Sequence, residues 1–338
     1  MKIVIPGGSG HIGRILTRAL AAEGHQIVIL TRQAARPPAT DAACRFVAWD
    51  GRTVGPWAAE LDGADVVINL AGRSVNCRYH AANRRAILES RVHSTMAVGQ
   101  AIAAASRPPR VWLQASTATI YAHRYDAPND ERTGILGGFE PQAPPAWNFS
   151  IEVAKAWEQA ACAWTLPHTR RVLMRSAMTM SPDAGGVFDV LLWLVRWGLG
   201  GTQGDGRQFV SWIHDEDFTR AVQWLIEHDL EGPVNLASPQ PLPNAQFLHI
   251  LRTAWGTRLG LPATHWMLEL GAIFLRTETE LILKSRRVVP TRLLESGFVF
   301  RFPDWPTAAA DLCQRWRAQH AQRTPCLPRV PPRSRVDG

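Results

Sequence analysis

The sequence predicts an α/β protein: a Rossmann-type doubly wound parallel sheet with a smaller C-terminal α/β lobe. Three observations carry this. Strand-like and helix-like stretches alternate through the first half of the 338 residues. The strands are continuous apolar runs, as in Ala64–Leu70 (ADVVINL), which suits strands covered on both faces. A glycine-rich turn, Gly7–Gly13, joins the first strand to the first helix.

The elements follow in order. Lys2–Pro6 reads as a short apolar strand. Ile12–Glu23 has Ile12, Ile15, Leu16, Ala19 and Leu20 at helical spacing and stops at Gly24, a favourable helix end. Gln26–Leu30, Arg45–Ala48 and Ala64–Leu70 are the next strands. Ala81–Ala105 is a long helix closed by Arg107-Pro108-Pro109, and Arg110–Ala115 is a fifth strand. Ser150–Trp164 reads as a helix and Thr169–Arg175 as a sixth strand. Beyond them, Gly198–Gly206 is a glycine-rich loop, Phe209–His214 a strand, and Asp217 to about His228 a helix. Pro233–Ala237 is another strand, and Asn244 reads as the N-cap of a helix ending at Gly256. Pro290–Phe302 is a hydrophobic connection and Asp304–Ala318 the last helix.

Composition narrows the class. With 46% hydrophobic and 20% charged residues, the chain is neither largely disordered nor collagen-like nor a disulfide-dense mini-protein. The longest apolar stretch, Val187–Gly201, is broken by Asp189 and Arg196 and is too short for a bilayer. Met1–Gly8 reads as a strand, not a signal peptide. The formal charge of +8 is uneven: Arg315–Gly338 carries six arginines against Asp337, a net +5, and leaves +3 for the body. That segment also holds four prolines, so it reads as a solvated tail and not a nucleic-acid or membrane surface. The five cysteines (44, 77, 162, 313, 326) form no CxxC pair, which argues against a metal site or a disulfide framework and fits a reducing cytoplasm.

The strongest chemical signal is Gly7-Gly8-Ser9-Gly10-His11-Ile12-Gly13. One glycine makes the tight turn, one lets a pyrophosphate approach the backbone, and one lets helix pack on strand. The helix N-terminus adds N–H groups and partial positive charge. The second strand ends Leu30-Thr31-Arg32 with no acidic residue to meet a ribose hydroxyl. Arg32 instead suits a 2′-phosphate, which predicts NADP over NAD. Asn69-Leu70-Ala71-Gly72 closes the fourth strand with small residues where the adenosine half passes, and Ala115-Ser116-Thr117 closes the fifth where the nicotinamide lies. The expected organisation is an NADP-binding domain over 1–180, its sheet completed by parts of the second half, a substrate lobe over 181–318, and a basic, Pro-rich disordered tail over 319–338.

Gly7-x-x-Gly10-x-x-Gly13, Asn69-Leu70-Ala71-Gly72 and Ser116-Thr117-x-x-x-Tyr121 resemble the extended short-chain dehydrogenase/reductases, the sugar epimerase-like group. The chain is more similar to an atypical branch, the epimerase family with a C-terminal domain of unknown function (YfcH-like or SDR39U1-like proteins). Arg78, Ser90-Arg91-Val92, Ala156-Trp157-Glu158, Gly198-Leu199-Gly200-Gly201, Gly206-Arg207-Gln208 and Ser211-Trp212-Ile213-His214 carry that resemblance. So do Gly232-Pro233-Val234-Asn235-Leu236 and Leu293-Leu294-Glu295-Ser296-Gly297-Phe298. The resemblance implies NADP as cofactor, touched by Arg32, Leu70, Ala71 and Arg91.

The superfamily's usual chemistry needs a tyrosine and, four residues later, a lysine that lowers the phenol pKa. The only lysines are Lys2, Lys155 and Lys284; Ile151 precedes Lys155 by four and Glu280 precedes Lys284 by four. There is no YxxxK, and alignment on Glu158 puts Ser150 and Ala154 in the two places. The candidates left for catalysis are Thr117 at the substrate-orienting position, Tyr121 and Lys155. Lys155 is one residue off the lysine position, rotated about 100° around the helix. Two of them have a plain alternative: Tyr121 as a structural aromatic, Lys155 as a surface lysine. His214 fits a cap or buttress, Cys77 an ordinary thiol, and Arg78 and Arg207 either solvated arginines or anchors for an anionic substrate. Trp193, Trp197 and Trp212 fit either core or a pocket wall.

Two functions remain open: an NADP(H)-dependent oxidoreductase or epimerase-like enzyme with an unknown small-molecule substrate, or a catalytically silent NADP(H)-binding regulator or scaffold. Both fit a cytoplasmic protein, monomeric or homodimeric, that binds neither nucleic acid nor membrane.

Overall fold

The computed structural model describes residues 1–32, 44–140, 143–144, 147–263 and 280–321. Seven strands form one parallel sheet: β1 (Lys2–Pro6), β2 (Gln26–Thr31), β3 (Cys44–Ala48), β4 (Val66–Asn69), β5 (Val111–Thr117), β6 (Arg170–Ser176) and β10 (Gly232–Leu236). Their order is β10-β6-β5-β4-β1-β2-β3, and every pairing is parallel. The order reverses between β1 and β4, so the loops after these two strands part there and leave a crevice at the carboxyl edge.

Alternation along each strand feeds two cores. Ile3 and Ile5 of β1 point to one side, with Leu16 and Leu20 of α1 (His11–Ala22) and Phe218, Val222 and Leu225 of α5 (Asp215–Glu227). Val4 points to the other, with Trp112 of β5 and Ala97, Val98, Ala101 and Ile102 of α2 (Ala81–Ala104). All the named core side chains are at most 3% exposed. Helix α3 (Asn148–Cys162) packs beside α2.

A third core belongs to the second half. Phe188, Leu192 and Val195 of α4 (Val187–Arg196) meet Phe247 and Leu251 of α6 (Asn244–Trp255) and Trp305 and Leu312 of α9 (Trp305–Ala321). Two small two-stranded sheets edge it. One pairs β7 (Met178–Met180) with β9 (Trp212–His214), the other β8 (Phe209–Val210) with β11 (Leu242–Pro243). Short helices α7 (Glu280–Leu283) and α8 (Thr291–Glu295), with 3-10 turns at Pro56–Glu60 and Ala118–Ile120, complete the described elements. None of the described helices is long and apolar enough to cross a membrane.

Several sequence expectations are corrected here. The strand expected over Phe209–His214 breaks at Ser211, whose hydroxyl donates to the Arg286 carbonyl (2.7 Å) and accepts from the Val288 N–H (2.8 Å). Asn244 does not cap α6. It is the first helical residue, and its amide instead accepts from the Gln203 N–H (3.0 Å) and donates to the Gln203 side chain (3.1 Å). Pro290–Phe302 contains a helical turn, α8, where a plain connection was expected. The last helix runs three residues past the expected boundary, to Ala321, and the rest of the expected tail, 322–338, lies outside the described residues.

Candidate functional site

The crevice at the β1/β4 switch is built by close backbone contacts. Gly7 turns the chain out of β1 at φ 78°, and a Cβ there would lie 2.8 Å from the Ala71 backbone. A Cβ on Gly13 would lie 2.3 Å from the Gly8 carbonyl, so α1 reaches the turn only without one. Helix α1 has no side-chain cap and no acidic residue in its first turn. The N–H groups of His11, Ile12 and Gly13 therefore lack intrahelical partners and sit at the positive end of the helix. Such a cradle takes a phosphate.

The walls follow from the strands. The Ser9 and Thr31 hydroxyls are 3.1 Å apart, tying the turn to the end of β2. Arg32 follows, exposed, with no hydrogen bond or ion pair to another described residue. On the other side, Asn69 shapes the turn after β4: its carbonyl oxygen accepts from the Ala71 N–H (3.1 Å) and its amide donates to Gln114 (2.9 Å). A Cβ on Gly72 would lie 3.3 Å from the Arg91 side chain. Arg91 reaches there from α2, donates to the Arg73 carbonyl (2.9 Å) and lies over the Trp157 ring; burial pulls its pKa down to about 10. The His11 ring, beside Gly186, has both nitrogens buried without a hydrogen-bond partner among the described residues, and burial lowers its pKa. These residues fit a dinucleotide: small residues where a chain must pass, donors at the phosphate position, and a guanidinium at the edge.

The end of β5 carries Ala115, Ser116 and Thr117. The Ser116 hydroxyl donates to Glu158 (2.6 Å), which also receives two hydrogen bonds from Arg175 (2.8 and 2.7 Å). Arg175 donates to the Tyr121 oxygen (3.0 Å), and that phenol donates to Asn235 (3.0 Å). Tyr121 is 2% exposed, and burial raises its pKa although Arg175 works against this. Thr117, half-buried, accepts from the Thr119 N–H (3.2 Å). Lys155 turns elsewhere: its ammonium donates to the Gly137 carbonyl (2.7 Å) and lies 4.8 Å from the Phe139 ring centroid. It lines a groove of about 810 Å³ along α3 and the β6–β10 edge that none of the cradle residues lines. No hydrogen bond joins Thr117, Tyr121 and Lys155 among the described residues.

The other candidates have settled partners. His214 caps α5, its Nδ1 accepting from the Glu216 N–H (3.1 Å) while Nε2 meets Asp311 (3.0 Å). The Cys77 thiol faces the Ser74 carbonyl (3.8 Å), and Arg207 stacks over Tyr125. Trp212 is core at 0% exposure, whereas Trp193 and Trp197 stand out at 47% and 69%.

A cluster that sequence reasoning missed lies where β5 gives way to Thr119. The Ser150 hydroxyl donates to Glu280 (2.6 Å) and hydrogen-bonds the Tyr79 phenol. Lys284 is 1% exposed, with its ammonium 3.3 Å from the Thr119 carbonyl and 3.9 Å from Glu280. Arg286 donates to the Thr119 hydroxyl (3.1 Å). The one signal available was a lysine in a chain that otherwise uses arginine almost throughout.

The family model described as NAD dependent epimerase/dehydratase family matches residues 3–147, and the model described as Domain of unknown function (DUF1731) matches residues 263–312. The epimerase family protein SDR39U1 of Bos taurus is 30% identical over 319 residues, 92% of this chain and 99% of the relative. The epimerase family protein YfhF of Bacillus subtilis (strain 168) is 30% identical over 316 residues, 92% of this chain and 98% of the relative. The crystal structure of human epimerase family protein SDR39U1 (isoform2) with NADPH superposes with a TM-score of 0.80 at 28% identity, covering 93% of this chain and 99% of that one.

Proposed function

The chain belongs to the NAD dependent epimerase/dehydratase family, with a DUF1731 C-terminal domain, and from that premise we propose that it is an NADP(H)-binding, epimerase/dehydratase-like oxidoreductase without a Tyr–Lys dyad. The observation that carries this is the cradle itself: Gly7 against Ala71 and Gly13 against Gly8, closed to any Cβ, at the uncapped start of α1. The human relative crystallised with NADPH supports the choice of cofactor.

On this reading Ser9 and the N–H groups of His11, Ile12 and Gly13 hold the pyrophosphate, and Arg32 meets the 2′-phosphate. Leu70, Ala71, Gly72 and Arg91 line the adenosine half. When bound, the nicotinamide supplies or accepts a hydride beside Ala115 and Ser116. Thr117, half-buried at the strand end, orients the substrate oxygen. Tyr121 and Lys155 shape the site from behind, the first through Arg175 and Asn235, the second through the loop at Gly137. Reduction of an activated acceptor suits such a site better than oxidation of an unactivated alcohol, because it demands less proton abstraction. The substrate is a small molecule, and the protein works in the cytoplasm.

Titration calorimetry with NADPH and NADH, followed by a substrate panel read by NADPH absorbance with Thr117→Ala alongside, tests this. Binding of NADPH in preference to NADH, and turnover that falls in Thr117→Ala, is the expected result; no heat with either nucleotide would overturn it. A second reading, a silent NADP(H)-binding regulator or scaffold, is favoured by the engagement of Tyr121 and Lys155 with structural partners. It is distinguished by cofactor binding without hydride transfer across the panel.

A further inference from the structure

Three segments distant in sequence meet where β5 ends. Helix α3 contributes Ser150, at the place where the superfamily carries its phenol. Ala154, at the lysine place one turn on, is 0% exposed and packs with Ala118, Ile120, Tyr121 and Val288, so α3 offers no cation on this face. The loop before α2 contributes Tyr79. The C-terminal module contributes Glu280, Lys284 and Arg286, all within the DUF1731 match.

Their hydrogen bonds have a direction. A hydroxyl has one proton, and Ser150 gives its own to Glu280 (2.6 Å), so toward Tyr79 the Ser150 oxygen accepts. Burial, the leading cause, pushes the Tyr79 phenol up to about 12, which keeps it a donor that holds the Ser150 oxygen in place. Glu280 is flanked on its other side by the Lys284 ammonium, 3.9 Å away. An ammonium this deeply buried is costly unless it is paired.

We propose that Lys284, acting through Glu280, is a positioning residue that gives and retrieves the proton exchanged at the Ser150 hydroxyl, so that the C-terminal module carries the cation that α3 lacks. This rests on the NADP(H)-dependent reading above. In the reducing direction a hydride adds to the substrate carbonyl carbon and the C=O π pair moves to oxygen. Ser150 turns its hydroxyl from Glu280 and gives the proton to that oxygen; Lys284 protonates the Glu280 carboxylate, and the resulting acid returns a proton to Ser150, so that Glu280 ends as the carboxylate it began as and Lys284 as a neutral amine. Oxidation runs the same transfers backwards.

The charge environment suits the task. Burial first, then Arg286, brings Lys284 down to about 8, while Glu280 and Glu140 work in the other direction. His123, which accepts from the Ser285 N–H (2.7 Å), is itself lowered from 6.5 by burial and by Lys284, so it is neutral in the range where Lys284 titrates. A group that titrates near neutral pH gives and takes a proton at little cost.

The test uses the full-length protein and its scarcity of lysine. Labelling lysine at Cε with carbon-13 gives three side-chain signals, and Lys2→Arg and Lys155→Arg assign the third to Lys284 without touching the cluster. We expect that signal to titrate near pH 8. Glu280→Gln, which removes the anion, lowers the midpoint further, a tenfold or greater loss of proton affinity. In the unsubstituted protein the midpoint falls by about half a pH unit or more in the NADP⁺ complex relative to the NADPH complex, because the oxidised ring adds a positive charge nearby. A lysine remote from the nicotinamide would not respond to the redox state. A Lys284 midpoint at the ordinary lysine value, or one identical in the two complexes, overturns the proposal while leaving cofactor binding standing. Absence of binding heat with either nucleotide overturns the cofactor reading, and the relay with it.

Discussion

Arg175 holds Glu158 by two parallel hydrogen bonds, Nε to Oε1 at 2.8 Å and Nη2 to Oε2 at 2.7 Å, with side chains only 7% and 11% exposed. This pair fastens β6 to α3, and through Ser116 and Tyr121 it also fixes the end of β5 and the loop beyond it. Truncating one partner leaves the other charge buried and unpaired, so Arg175→Met should cost about 3–5 kcal/mol of stability. Arg175→Lys should recover little, because an ammonium cannot reproduce the planar fork. Urea unfolding of the three proteins checks this; a loss below about 1 kcal/mol for Arg175→Met would show the pair to be dispensable.

The glycine cradle gives a graded prediction. Gly13→Ala forces a Cβ to within 2.3 Å of the Gly8 carbonyl, whereas Gly10→Ala meets nothing nearer than the Gly7 carbonyl at 3.4 Å. Gly13→Ala should cost about 1–3 kcal/mol of stability and abolish NADPH heat, since the turn must shift to admit it. Gly10→Ala should fold within about 0.5 kcal/mol of the parent. Equal unfolding midpoints for the two variants would contradict the close approach of α1 to the turn.

Arg32 is placed to discriminate between cofactors and has no other described partner to satisfy. A charge-assisted hydrogen bond contributes about 1.5–3 kcal/mol, so Arg32→Ala should weaken NADPH binding by about 10–100-fold and leave NADH binding nearly unchanged. Calorimetry with both nucleotides decides it, and an equal loss for both would remove the phosphate-pairing role.

How much of this was legible follows from the range of the interactions involved. The glycine turn, the small residues after β4 and the buried strands were readable because their signals are local: continuous apolar runs, a helical period, a glycine where a turn needs one. The strand expected over Pro233–Ala237 is the seventh strand of the sheet, β10, within one residue. Glu158 served only as an alignment landmark, although it is the anchor of a buried network, because its partner Arg175 lies on another element and both look like surface charges in a linear reading. The Ser150–Glu280 contact spans 130 positions, and no periodicity joins its ends. Lys284 lacks a tyrosine four residues earlier, and a search for that spacing passes over it because it assumes one helix supplies both groups. Asn244 was misplaced for a simpler reason: a polar residue before an apolar run looks like a cap, but its amide was already committed to Gln203.

His214 supplies a prediction about pH. It is 0% exposed, stacks on Phe302 at 3.8 Å, and sits between Asp215 and Asp311 with Arg315 close by. Burial, the largest influence, lowers its pKa below 6.5 despite the two carboxylates, and Arg315 acts in the same direction as burial. Unfolding releases the imidazole to its ordinary value, so between the lowered native pKa and 6.5 the unfolded chain binds more protons than the native one. Stability therefore falls as pH drops through this window, by up to about 1.4 kcal/mol per pH unit for this one group, and is fully present above it. His11 and His123, also lowered by burial, contribute slopes of the same sign. Replacing His214 with Asn keeps an acceptor for the Glu216 N–H at the start of α5 but removes the titrating ring. Unfolding free energies measured from pH 5 to pH 7.5 should be less steep in His214→Asn than in the parent; parallel curves would mean that His214 is protonated to the same extent in both states.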